Sequence, residues 1–207
     1  STMTAGTGGN GLLTLTSTGA ASDIVLNGHL SATNAALPIT TPGINVTSGR
    51  DIVLRAVNLD TITSGGVKLT AANTVNLNGA DLCGGACADF RAISAVGNVD
   101  ITATAGAITR SADDGVSLSG ANVTLSAGTN IDNPFGLVTA TAGNVLATAA
   151  GTLNTSGQTV NSVAGNVTLN AGSTITTNAV TAAAGNIVVA SSAANANILS
   201  PYSATSI

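Results

Sequence analysis

The sequence predicts an all-β fold: a single-stranded right-handed parallel β-helix (β-solenoid) of about eight coils, with ~22–24 residues per coil. Three observations carry this. A Gly-Asn-(Val/Ile) motif recurs along the chain, each copy opens a short stretch in which apolar and polar residues alternate, and the composition favours strands and tight corners. The 207 residues include 31 Thr, 21 Asn and 25 Gly, with nine Asp and no Glu. Only 7% of residues are charged and 1% aromatic, yet 44% are hydrophobic. That is too apolar for a disordered tail, which combines low hydrophobicity with high net charge. It is also too poor in Glu, Lys, Gln and Met for a helical bundle. Asn, Thr and Gly scattered through Asn133 to Ile207 exclude successive membrane spans of about 20 apolar residues.

The repeat is read from Gly97-Asn98-Val99, Gly143-Asn144-Val145, Gly165-Asn166-Val167 and Gly185-Asn186-Ile187. Looser relatives are Ser22-Asp23-Ile24, Arg50-Asp51-Ile52, Asn73-Thr74-Val75 and Ala121-Asn122-Val123. Taking the Val or Ile as marker gives positions 24, 52, 75, 99, 123, 145, 167 and 187. Each marker and the residue two further on form an inward pair, from Ile24/Leu26 to Ile187/Val189, and the residue between them faces outward. Further short strands follow within a unit, most clearly at Val167–Leu169, Thr174–Thr176 and Ala179–Thr181. Three strands per turn suit one coil of a β-helix. A lone coil cannot bury its Val, Ile and Leu, but coils stacked at ~4.8 Å can, and eight of them make a rod of about 38 Å. One segment is expected over 1–207, with repeats from about 22 to 200 and no second domain. An antiparallel sandwich or barrel is the competing fold, against which Asn-Gly or Asp-Gly hairpin signals are few.

Asn98, Asn122, Asn144, Asn166 and Asn186 precede the marker in five consecutive coils. Two structural readings stand side by side: a ladder of stacked amides, or Asn tolerating left-handed backbone at the corner.

Candidates for chemistry are sparse. Cys83 and Cys87 lie in a segment, 81–91, that interrupts the coil between Leu77 and Val99 and is expected to project from the rod. Two cysteines without further soft ligands do not make a metal site, and the three-residue spacing is not the redox Cys-x-x-Cys. A small disulfide is expected in an oxidising compartment, with free buried thiols the alternative. Asp81, Asp89 and Arg91 give this loop its three charges and Phe90 an aromatic ring, making it the candidate contact site. Asp113-Asp114 is the adjacent acidic pair; with Asp100 and Arg110 it would be needed for a polysaccharide-cleaving groove. A corner turn is the plainer reading. His29 suggests no triad, and no cofactor or metal is expected. A net charge of −4 with five basic residues argues against nucleic acid. Thr14-Leu15-Thr16, Thr61-Ile62-Thr63, Thr102-Ala103-Thr104 and Thr139-Ala140-Thr141 suggest the Thr-x-Thr ranks of an ice-binding solenoid, but their spacing does not match the coil. Ser1 to Leu12 lacks a signal peptide's basic and apolar regions, so the chain reads as a mature piece of something longer.

Gly-Asn-Val-Thr-Leu-Asn-Ala-Gly-Ser-Thr-Ile at 165–175 and its copies resemble the filamentous haemagglutinin family, the large exoproteins of bacterial two-partner secretion. The resemblance spans roughly Ile24 to Val189. The family's secretion domain carries Asn-Pro-Asn motifs; Asn133-Pro134-Phe135 departs from that pattern, so this domain is expected to be absent. The resemblance implies a non-enzymatic extracellular or cell-surface rod in an adhesin. Its partners would be an outer-membrane pore during export and a glycan or protein on a host or neighbouring cell. End-to-end self-association into a filament, a polysaccharide-active enzyme and an ice-binding solenoid are the alternatives.

Overall fold

In the described residues every element is a strand, because Val, Ile, Leu and Thr alternate in runs too short for a helix and are punctuated by Gly and Asn. The computed structural model describes residues 2–5, 11–33, 37–55, 58–77, 91–110, 116–132, 136–193, 198–199 and 202–204. Its 25 strands form three sheets of nine, eight and eight strands. The first sheet begins with Thr2–Ala5, the second with Leu13–Ser17 and the third with Ile24–Leu26. Each strand pairs in parallel with the third strand after it in the chain, so the backbone visits the three sheets in strict rotation. This is a parallel β-helix. No antiparallel pair occurs among the described residues. Strands of the same solenoid also lie N-terminal to position 22, at Thr2–Ala5 and Leu13–Ser17.

Side chains stack coil on coil into columns. On the second sheet Ile44, Val67, Val99, Val123, Val145 and Val167 are register partners in series, each at most 1% exposed. Val46, Leu69, Ile101, Leu125, Ala147 and Leu169 form a second inward column. A third, Ser48, Ala71, Ala103, Ala127, Ala149 and Ala171, lies nearest the next corner and takes only small residues. On the third sheet Ile52, Val75, Ile108, Ile131, Leu153 and Ile175 do the same, and on the first Leu30, Leu59, Ile93, Leu118, Val138, Val160 and Val180. At the last coil Ile187 and Val189 occupy these columns but are only half-buried.

One expectation is corrected. Reading inward and outward residues from the markers is right in every coil, but the markers do not follow one sheet. Val99, Val123, Val145, Val167 and Ile187 lie on the second sheet, while Ile24, Ile52 and Val75 lie on the third. The second-sheet equivalents of those three are Leu13, Ile44 and Val67. Val67 to Val99 spans 32 positions, and Val75 to its true successor Ile108 spans 33. The segment that interrupts this coil lengthens it, so the 24-residue step from Val75 to Val99 crosses from one sheet to another. Both corners place a polar residue before a buried Val or Ile, which is why the two series look alike in sequence.

The corner glycine answers to space. Gly165 has no positive φ, but a Cβ there would sit 2.6 Å from the Gly143 carbonyl oxygen and 2.6 Å from the Asn144 side-chain oxygen of the coil before. Backbone cannot yield at coil spacing, so the position admits hydrogen alone.

Two measurements test this packing. Ile101→Ala should lower unfolding free energy by about 2–5 kcal/mol in chemical denaturation, whereas outward Thr102→Ala should stay within about 0.5 kcal/mol. Gly165→Ala should cost about 1–3 kcal/mol, with hydrogen-exchange protection lost first around residues 143–167.

Candidate functional site

The Gly-Asn-(Val/Ile) corner is the most repeated polar feature, and its chemistry is local. Asn144 N–H donates to Asn122 Oδ1 at 2.8 Å, Asn166 N–H to Asn144 Oδ1 at 2.7 Å, and Asn186 N–H to Asn166 Oδ1 at 2.8 Å. Only between Asn122 and Asn98 do two amide side chains meet, Nδ2 donating to Oδ1 at 2.9 Å. The five asparagines are therefore a ladder, mostly of side chain to backbone. Left-handed backbone is not their reason: among the described residues the one non-glycine with positive φ is Thr63. The side-chain oxygens of Asn122, Asn144 and Asn166 each take a backbone N–H of the next coil, and Gly143, Gly165 and Gly185 leave room for these amides.

A second corner, leading into the third sheet, repeats this chemistry. Asp51 Oδ1 accepts from Thr74 N–H at 2.8 Å and from Asn73 Nδ2 at 2.9 Å, and Asn130 Oδ1 accepts from Thr152 N–H at 2.8 Å. Asp23 accepts from Asp51 N–H at 3.3 Å. Arg50 closes this corner with two hydrogen bonds to Asp23, Nε to Oδ1 at 2.6 Å and Nη2 to Oδ2, and it lies 3.3 Å from Asp51 Oδ2. The bond from Arg50 holds the Asp23 carboxyl below the usual range and raises the guanidinium of Arg50. On the first sheet, burial pushes Asp60 above the usual carboxylate range. His29 Nδ1 accepts from Asn58 N–H at 3.2 Å.

Other residues singled out by sequence are dispersed. Cys83, Cys87, Asp81, Asp89 and Phe90 lie outside the described residues, as do Asp113 and Asp114; Arg91 opens the first-sheet strand Arg91–Ser94. Asp100 faces outward from the second sheet, whereas Arg110 is buried at the end of the third-sheet strand Ile108–Thr109. These two do not line one groove. The Thr-x-Thr pairs fall on different sheets, with Thr61 turned inward, as their spacing foretold. A different rank was missed: Thr16, Thr47, Thr70, Thr102, Ser126 and Thr148 are outward register partners on the second sheet. Only alignment by coil reveals it, because the coils differ in length. The neighbouring outward column runs Thr14, Asn45, Lys68, Asp100, Thr124, Leu146, Thr168 and Val188, so the hydroxyls form a line and no two-dimensional lattice.

Sequence reasoning also missed a recess of about 160 Å³ where this column meets the corner, lined by Ile39, Thr40, Pro42, Asn45, Lys68 and Asp100, among others. The chain at Leu37–Thr41 folds against it and is tied down along the rod. Leu37 N–H donates to Ser64 Oγ at 2.8 Å, Gly66 N–H to Thr41 O at 2.9 Å, and Asn98 N–H to Ile39 O at 2.8 Å. Gly65, at φ 86°, supplies the turn beneath this segment. Among the described residues no group of three or more His, Cys, Asp or Glu side chains is placed to hold a metal ion.

No family model matches the chain, and no curated protein or solved structure is similar to it.

Two outcomes follow from this electrostatic and hydrogen-bonding arrangement. Asn144→Ala should cost about 0.5–1.5 kcal/mol in chemical denaturation, while Asn144→Asp, which keeps the acceptor, should recover most of it at neutral pH. Asp60 has a raised folded-state pKa, so its charge works against the fold, and stability declines as pH climbs from the ordinary carboxylate range through that value. Asp60→Asn should therefore be more stable than the parent at neutral pH and lose this advantage below about pH 3.9, read as Tm against pH.

Proposed function

We propose that the chain is a non-enzymatic extracellular shaft, a β-helical rod segment of a large secreted bacterial adhesin of the filamentous haemagglutinin kind. The observation that carries this is that successive coils complete one another. Among the described residues, an interior turn's strand backbone groups and inward aliphatics are met by the turn before and the turn after, and so are several corner N–H groups. Such a unit adds length without adding a new core. That property suits a protein whose work is to hold something far from a surface.

Composition supports export through a narrow pore. The chain has two cysteines, separated by three residues, so any disulfide between them closes a loop small enough to thread. Coils stack one at a time, so folding that begins at the emerging end draws the rest outward. With 1% aromatic residues, the chain also passes with few bulky groups.

Within this reading the contact with another cell is made by the segment 81–91, where Asp81, Asp89, Phe90 and Arg91 gather charge and an aromatic ring beside Cys83 and Cys87. Latex beads coated with the intact chain should attach to target cells, and beads carrying a chain with 81–91 replaced by Gly-Ser should lose most of that attachment. Equal attachment by both, with unchanged thermal unfolding, removes the segment as the contact site; no attachment by either removes the adhesin reading.

A further inference from the structure

Four Asn-x-(Thr/Ser) triplets stand in the sequence, at Asn45, Asn122, Asn154 and Asn166. This is the acceptor pattern for sugar attachment to an asparagine amide, although strand alternation also writes Asn-Val-Thr with no such purpose. The structure separates the four by what their amides already do. Asn122 Nδ2 donates to Asn98 Oδ1 at 2.9 Å, and its Oδ1 accepts from Asn144 N–H. Asn154 Nδ2 donates to Asp132 Oδ1 at 3.0 Å, and its Oδ1 accepts from Ser156. Asn45 is half-buried, with Oδ1 shielded from solvent. Asn166 alone of the four is exposed, and its Nδ2 has no acceptor among the described residues. Its Oδ1 accepts from Asn186 N–H at 2.8 Å, so the amide is held by its oxygen while its nitrogen is left unpaired. Thr168, the third residue of this triplet, faces outward from the same strand. Its register partners are Leu146 and Val188, 38% and 48% exposed.

We propose that Asn166 is a glycosylation site, modified by a transferase that uses a sugar activated on a diphosphate. A bond forms between Nδ2 and the anomeric carbon as the bond from that carbon to the diphosphate oxygen breaks. The diphosphate leaves with the electron pair, and Nδ2 gives one proton to a base of the transferase. The resulting secondary amide keeps its oxygen, so the hydrogen bond from Asn186 N–H survives and the stack is undisturbed. At Asn122 and Asn154 both amide atoms are already engaged, which sets Asn166 apart. Leu146 and Val188, within one coil of the acceptor strand, offer apolar surface to the C–H face of the attached ring. The inference stands without the shaft reading, since it concerns one amide on the rod and leaves the segment 81–91 unused.

The test is peptide mapping by mass spectrometry of the intact chain and its variants, produced in the organism that makes the protein. The Asn166 peptide should carry sugar, at an occupancy tenfold or more above Asn45, Asn122 and Asn154. A single hexose marks a nucleotide-linked donor, and a preassembled oligosaccharide marks a lipid-linked one. Thr168→Val should abolish the adduct and Thr168→Ser should retain it, because the acceptor pattern needs a hydroxyl two residues on. Both changes lie on the outward face, and thermal unfolding matched to the parent checks that the fold is kept. An unmodified Asn166 in the parent chain overturns the proposal. So does equal occupancy at another of the four asparagines, or an adduct that persists in Thr168→Val.

Discussion

Each turn of this chain must lie in parallel register on the turn before it, and almost everything else in the structure answers to that requirement. Parallel strands donate and accept along both edges, so an interior coil is complete only when it has a neighbour on each side. At the corners, where strand pairing lapses, the same demand is met by other means: the Asx oxygen takes the next coil's N–H, and backbone carbonyls such as Gly143 O come so close that only glycine can sit above them. The core follows from the register. A residue packs mainly on its counterparts one coil up and one coil down, which produces uniform columns such as Val99, Val123, Val145 and Val167.

This arrangement separates stability from function in an unusual way. Inward positions, corner glycines and corner Asx residues are committed to the stack. Outward positions are nearly free, and along the second sheet they range from Thr14 through Lys68 and Asp100 to Leu146 and Val188 without disturbing the sheet. Departures from the regular coil are where chemistry collects. The segment at Leu37–Thr41 turns a flat face into a recess, and Arg50 with Asp23 and Asp51 concentrates charge at one corner.

Legibility in the sequence divided along the same line. The alternation at Val167, Thr168 and Leu169 was enough to assign inside and outside, and a strand run ending at a Gly was enough to place a corner. Sheet membership was not legible from Ile24, Ile52 and Val75, because the third-sheet corner uses Asp23 and Asp51 for the same purpose that Asn144 and Asn166 serve at the second-sheet corner. Identical local chemistry gives identical local sequence. The small-residue column from Ala71 to Ala171 escaped notice for a different reason: alanine is common in this chain, and only the stacking shows that these buried positions nearest the corner form one column.

What the sequence by itself determined was the handing of each residue to core or surface and the residue types at the corners, since both depend on neighbours a few positions away. Which outward residues become neighbours was decided by the tertiary structure alone. Thr16, Thr47 and Thr70 are separated by 31 and 23 positions, and Asn45, Lys68 and Asp100 by 23 and 32, yet each set lies on one line. Coils of unequal length scramble those spacings in the chain, and backbone pairing between turns restores them in space.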